Sequence, residues 1–152
     1  MTAFLAALQD SAYAAYARES VFLYPIANVT HVLAVLVFFA AVAAMDLRLL
    51  GVFGGTPART VVARLRPVAF VALAVIAATG STLFVTEAVA TGRNPAFQLK
   101  LLAIALGLVN VGVNEWLLRR RGEGSAMARL SAALSLVLWL TVAACGRSIA
   151  YV

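Results

Sequence analysis

Four apolar stretches, each long enough to cross a bilayer, leave this chain few alternatives as a fold. They run over residues 21–44, 67–89, 96–118 and 128–150. A helix needs about 20 mostly apolar residues to span the hydrocarbon layer. Inside lipid the backbone must satisfy its own hydrogen bonds, so such segments are helical. The residues between them are helix breakers: Gly51, Gly54, Gly55 and Pro57, then Gly92 and Pro95, then Gly122 and Gly124. Hydrophobic residues make up 64% of the chain and charged residues 12%. That surplus exceeds what a water-facing surface hides. The expected fold is all-α: a single polytopic membrane domain of 152 residues built as a four-helix bundle.

Ahead of the first span, apolar side chains recur at helical spacing over residues 2–17, at Leu5, Leu8, Ala12 and Tyr16. The segment has no basic leading region, so it does not read as a secretory signal. It reads either as an amphipathic helix lying in the membrane interface or as a helix packed against the bundle end. Ser20 is the expected N-cap of the first span.

The net charge of +6 does not point to nucleic acid, because the basic residues sit at the ends of apolar segments. Arg48, Arg59, Arg64, Arg66, Arg119, Arg120, Arg121 and Arg129 fall on one side of the membrane. Arg18, Arg93, Lys100 and Arg147 fall on the other. The excess of positive charge marks the cytoplasmic face, so both termini are expected outside the cytoplasm. Cys145 is the single cysteine, which excludes an intrachain disulfide and a cysteine-based zinc site. No P-loop, GxGxxG, HExxH or GxSxG motif occurs, so nothing points to a catalytic activity of the chain's own.

His31 is the single histidine, and it lies inside the first apolar stretch, about 15 Å from its outer end. A titratable ring in hydrocarbon is costly without an internal partner, and such residues are commonly functional. Asn28 precedes it by one helical turn. Thr79, Thr82 and Thr86 form a polar stripe at the same depth in the second span, and Arg147 lies near the outer end of the fourth. His31, Asn28, Thr79, Thr82 and Arg147 are thus the candidate lining of an outward-facing polar pocket. Three readings of His31 stand open. It bonds to a carbonyl, Thr79 or Thr82 and fixes the bundle; it ligates haem or another metal; or it belongs to a quinone, proton or solute site. A six-coordinate haem needs a second axial ligand. Met1, Met45 and Met127 lie at a terminus or on the opposite side. Haem b would therefore need an open position, a ligand from another subunit, or two copies of His31 in a dimer. Glu87 is expected to pair with Arg147 or Lys100, and Asn110 and Asn114 to bond across helices.

Four blocks carry a family resemblance: Tyr24-Pro25-Ile26-Ala27-Asn28-Val29-Thr30-His31-Val32-Leu33, Asp46-Leu47-Arg48-Leu49-Leu50-Gly51, Asn94-Pro95-Ala96-Phe97-Gln98-Leu99-Lys100 and Gly146-Arg147-Ser148-Ile149-Ala150-Tyr151. In that order the chain resembles the DUF6644 type of bacterial four-span membrane proteins. The resemblance implies a location in the bacterial inner membrane, with His31, Asp46, Arg48, Asn94, Lys100 and Arg147 on motif positions. It implies no activity. The function expected from the residues is a small membrane subunit that binds a cofactor or quinone and serves electron transfer. The alternatives are a structural or assembly subunit of a larger membrane complex and a small transporter component. The expected partners are the lipid bilayer and either further copies of the chain or other subunits.

Overall fold

A computed structural model describes residues 2–52, 54–149 and 151. Its elements are α1 (Thr2–Gln9), α2 (Ala12–Glu19), α3 (Leu23–Leu49), α4 (Ala58–Thr86), α5 (Ala88–Arg93), α6 (Pro95–Arg121) and α7 (Ala126–Ser148). No strand occurs among the described residues. Four of these helices, α3, α4, α6 and α7, are long and apolar enough to cross a membrane.

Local chemistry explains where the helices begin and end. Asn94 caps α6, its Oδ1 accepting from the backbone N–H of Ala96 at 2.9 Å and of Phe97 at 3.3 Å. Pro95 follows in the first helical position, where its missing N–H costs nothing. Ser125 caps α7 through a 3.2 Å bond from Ala128 N–H. Ser20 does accept from the start of α3, from Leu23 N–H at 3.1 Å, although the helix proper opens two residues later than a cap would place it. Gly122 ends α6 at a φ of +82°, which a residue with a Cβ rarely adopts.

The long helices overrun the apolar stretches toward the arginine-rich end. α3 continues to Leu49, past residue 44, and α4 starts at Ala58, nine residues before Pro67. Proline usually marks a helix start, yet here it lies inside α4. The turns ahead of it are held by packing: Ala58 and Val62 join a cluster with Leu49, Leu117, Leu118, Ala128 and Ala132. Arg59 adds a bond to the carbonyl of Leu118, 2.7 Å long, at the C-terminal end of α6 where unpaired carbonyls favour a cation.

The four spans stand in an open arc. α3 packs along α4, α6 along α7, and the two hairpins meet where α3 touches α7. Small residues let these backbones approach, as membrane packing requires: Ala34, Ala41, Ala69, Ala72, Ala103 and Gly107. At mid-height Phe38 and Trp139 meet edge to face, with ring centroids 4.6 Å apart. Trp139 fits there because Gly107 carries no side chain: a Cβ on it would lie 3.0 Å from the indole ring. Asn110, Asn114 and Ser131 lace α6 to α7. Asn110 donates to the carbonyl of Ser131 at 3.0 Å, and the Ser131 hydroxyl returns a bond to Asn110 Oδ1 at 3.0 Å. Asn114 donates to the same hydroxyl at 3.3 Å. The expected cross-helix bonds of the two asparagines are thus in place.

The backbones of α4 and α6, at the ends of the arc, do not approach each other among the described residues. Side chains bridge them near both ends. Phe84 and Phe97 stack at 5.1 Å near the end that bears the termini. Arg66 bonds to Glu115 near the arginine-rich end, and Arg119 joins the same carboxylate at 2.6 Å. Large apolar side chains such as Val32, Leu36, Val71, Val109, Val137 and Leu140 face outward, as a lipid-covered surface demands.

The segment 2–17 is two helices rather than one, broken at Asp10 and Ser11, with Ser11 capping the second. α1 docks on α5 and the end of α4, and α2 on α4 and α3. Tyr13 donates to the hydroxyl of Thr82 at 2.8 Å, because the Thr82 proton is committed to the carbonyl of Ala78. Arg18 bonds the carbonyl of Thr86 at 3.1 Å, and Gln9 accepts from Val89 N–H at 3.0 Å. Ala14 and Ala17 are fully buried beneath them.

Candidate functional site

His31 lies on the face of α3 that carries Ala27, Ala34 and Phe38, by helical spacing, and this face turns into the arc. Its Nδ1 is 2.9 Å from Thr79 Oγ1 on α4. The Thr79 hydroxyl proton is committed to the carbonyl of Val75, 2.7 Å away. Nδ1 must then be the donor, and Nε2 keeps its lone pair. The ring rests on Gly80, where a Cβ would come within 3.1 Å of Cε1. His31 is half-buried, and the backbone of Ile76 also lies within hydrogen-bonding reach of its ring.

Lys100, on α6, lies within electrostatic reach of His31 and of the buried Cys145. Its ammonium lies along α7 at Gly146, 3.6 Å from where a Cβ there would stand. Lys100 has no acidic partner among the described residues. The expected pairing of Glu87 with Lys100 or Arg147 does not occur: Glu87 is exposed at the junction of α4 and α5 and forms no ion pair among the described residues. A carboxylate at a helix junction turns to water when nothing in the packed interior draws it in.

The expected site residues therefore separate into two groups. His31 and Thr79 come together directly. Thr82, Asn28 and Arg147 do not join them. Thr82 is buried and occupied by Tyr13. Asn28 is exposed, because the inward position one turn before His31 is taken by Ala27. Arg147 is exposed and turns back on the Tyr151 hydroxyl, with its guanidinium 4.8 Å from the ring centroid. Gly80 and Lys100 lie outside the expected lining, although the sequence places both at the outer end, Gly80 beside Thr79 in the second span and Lys100 as a lone cation six residues into an apolar helix.

Three or more His, Cys, Asp or Glu side chains do not gather anywhere among the described residues. As a metal ligand, His31 could therefore act only as one ligand of a group that brings most of its own, as haem does.

Beyond this end, the interior of the arc holds a cavity of about 80 Å³ near the arginine-rich end, between α4 and α6. Asp46, Trp139, Ser135, Asn110 and Arg66 line it among apolar neighbours.

Neither a curated protein nor a solved structure matches the chain. A family model matches residues 4–152, and the chain therefore belongs to DUF6644, a family of unknown function, as its four sequence blocks and its four apolar helices together suggested.

Proposed function

We propose that the chain is a small membrane subunit that holds a redox group, haem b or a quinone, against His31 and serves electron transfer. In this reading it resides in a bacterial inner membrane with both termini periplasmic, so the His31 end opens to the periplasm. One observation carries it: the relay from His31 Nδ1 through the Thr79 hydroxyl to the Val75 carbonyl. Metal-binding histidines characteristically donate their second ring nitrogen to such an acceptor, which sets the tautomer and strengthens the ligating nitrogen. The free Nε2 lone pair suits a haem iron, or accepts from the hydroxyl of a quinol. Lys100 supplies the complementary cation for a propionate or a quinone oxygen. Haem ligation through His31 alone leaves the sixth position to a second subunit, and a dimer joined at this face would supply it.

The same bond supports a second reading. A His31 satisfied by Thr79 also ties α3 to α4, as a purely structural or assembly subunit requires. Spectra of the detergent-purified protein, oxidised and dithionite-reduced, separate the two. A Soret band present in the native protein and absent in His31→Ala supports haem ligation. Quinone recovered by solvent extraction of the native protein, and lost from His31→Ala, supports the quinone form. A folded, colourless protein that extracts no quinone and releases a protein partner refutes the redox reading.

A further inference from the structure

The cavity near the arginine-rich end carries an inference independent of His31, which stands about 22 Å from Asp46 along α3. Two polar atoms at its wall have no hydrogen-bond partner among the described residues: Oδ2 of Asp46 and Nε1 of Trp139. Both residues are deeply buried, with exposures of 6% and 4%. Buried polar atoms without partners are rare in folded proteins, and each is costly to leave unmet. Arg66 lines the same cavity but bonds to Glu115, and Asp46 has no ion pair. The remaining walls are largely apolar, with Phe70 and Leu73 from α4 and Leu108 and Val111 from α6. Access lies sideways: α4 and α6 are bridged by Phe84–Phe97 at one level and Arg66–Glu115 at the other, and their backbones stay apart between.

We propose that this cavity is a binding site for a hydroxyl-bearing aromatic molecule that enters from the lipid phase between α4 and α6, its hydroxyl accepting from Trp139 Nε1–H and bonding to Asp46 Oδ2.

The donor and acceptor pattern selects this class. The indole N–H needs an acceptor. The carboxyl needs a donor when ionised and an acceptor when protonated. A hydroxyl meets the indole and either form of the carboxyl at once. An alkylammonium would suit an ionised Asp46 but leaves the indole N–H unmet. A hydrocarbon satisfies neither. The enclosed volume of about 80 Å³ exceeds the roughly 30 Å³ share of one water and takes the hydroxyl end of such a molecule, while the rest of it lies in the opening between α4 and α6; the edge-to-face pair of Phe38 and Trp139 adds an aromatic wall.

The test uses the full chain in detergent micelles, labelled with ¹⁵N-tryptophan. The variant Trp116→Phe assigns the two indole N–H resonances. Three probes are titrated: 4-butylphenol, butylbenzene and 4-butylbenzylammonium. The expected result is a saturable shift of the Trp139 indole resonance with 4-butylphenol alone. Its affinity should fall about tenfold in Asp46→Leu, the loss of one hydrogen bond. If that variant does not fold, Asp46→Asn replaces it and the three-probe comparison on the native chain decides. An equal shift with butylbenzene overturns the proposal in favour of a merely apolar cavity. A shift with the ammonium alone makes this a cation-binding site and overturns the proposal. No saturable shift with any probe leaves water as the partner of Asp46 and Trp139, and the proposal fails. None of these outcomes depends on what His31 binds.

Discussion

Replacing Gly107 by alanine tests whether the meeting of α6 and α7 is as tight as the structure has it. The new Cβ would stand 3.0, 3.2 and 3.4 Å from three atoms of the Trp139 indole, against the 3.4–4 Å of ordinary contact. The ring must withdraw by several tenths of an ångström. It has little room, being 4% exposed and held on its far side by Phe38. Overpacking of this kind costs about 1–3 kcal/mol. Against it stands the gain from replacing a helix-interior glycine, about 1 kcal/mol. Gly112 in the same helix separates the two terms, since a Cβ there meets nothing within 4 Å. Gly112→Ala should therefore be neutral or stabilising by up to about 1 kcal/mol. Gly107→Ala should lie below it by about 1–3 kcal/mol. Equilibrium unfolding in mixed micelles measures both, and Trp139→Phe in the Gly107→Ala background should restore part of the loss by shrinking the ring. If Gly107→Ala matches Gly112→Ala in stability, the indole is not wedged against α6 and the packing account is wrong.

Two further outcomes follow from single hydrogen bonds. Ser131→Ala removes one bond to Asn110 and one from Asn114; at about 0.6 kcal/mol each in a membrane bundle, the loss should be about 1 kcal/mol by the same unfolding measurement. Tyr13→Phe removes the bond to Thr82 and nothing else that Tyr13 makes through its hydroxyl. Amide exchange in α2 should accelerate by about tenfold, equivalent to about 1 kcal/mol, with α3 and α7 unchanged. Unchanged exchange in α2 would show that Arg18, Ala14 and Ala17 suffice to hold the docked helices.

How much of this was legible in advance depends on which force set each feature. The helical class and the count of four spans follow from hydropathy alone, because lipid forbids an unpaired backbone whatever the neighbours are. The helix starts at Asn94 and Ser125 are equally local, since a cap bonds within its own first turn. The start of α4 was not legible: Pro67 and the flanking arginines look like a boundary, and only packing on α6 and α7 carries the helix back to Ala58. The pairing of His31 with a threonine of the next span follows from its depth, but the choice of Thr79 over Thr82 does not. Thr82 was taken by Tyr13, a residue 69 positions away.

The sequence by itself determined that this chain crosses a membrane four times, because apolar length and turn residues act locally and need no knowledge of the fold. It also determined that His31 requires a partner, since the cost of a polar ring in hydrocarbon does not depend on the arrangement around it. Only the tertiary structure decided which groups meet. It brought Lys100 within electrostatic reach of His31, turned Asn28 and Arg147 away, set Trp139 on Gly107, and left Asp46 and the indole N–H unmatched at the cavity between α4 and α6. Those are questions of helix rotation and separation, which small residues at the contacts settle, and hydropathy is silent on both.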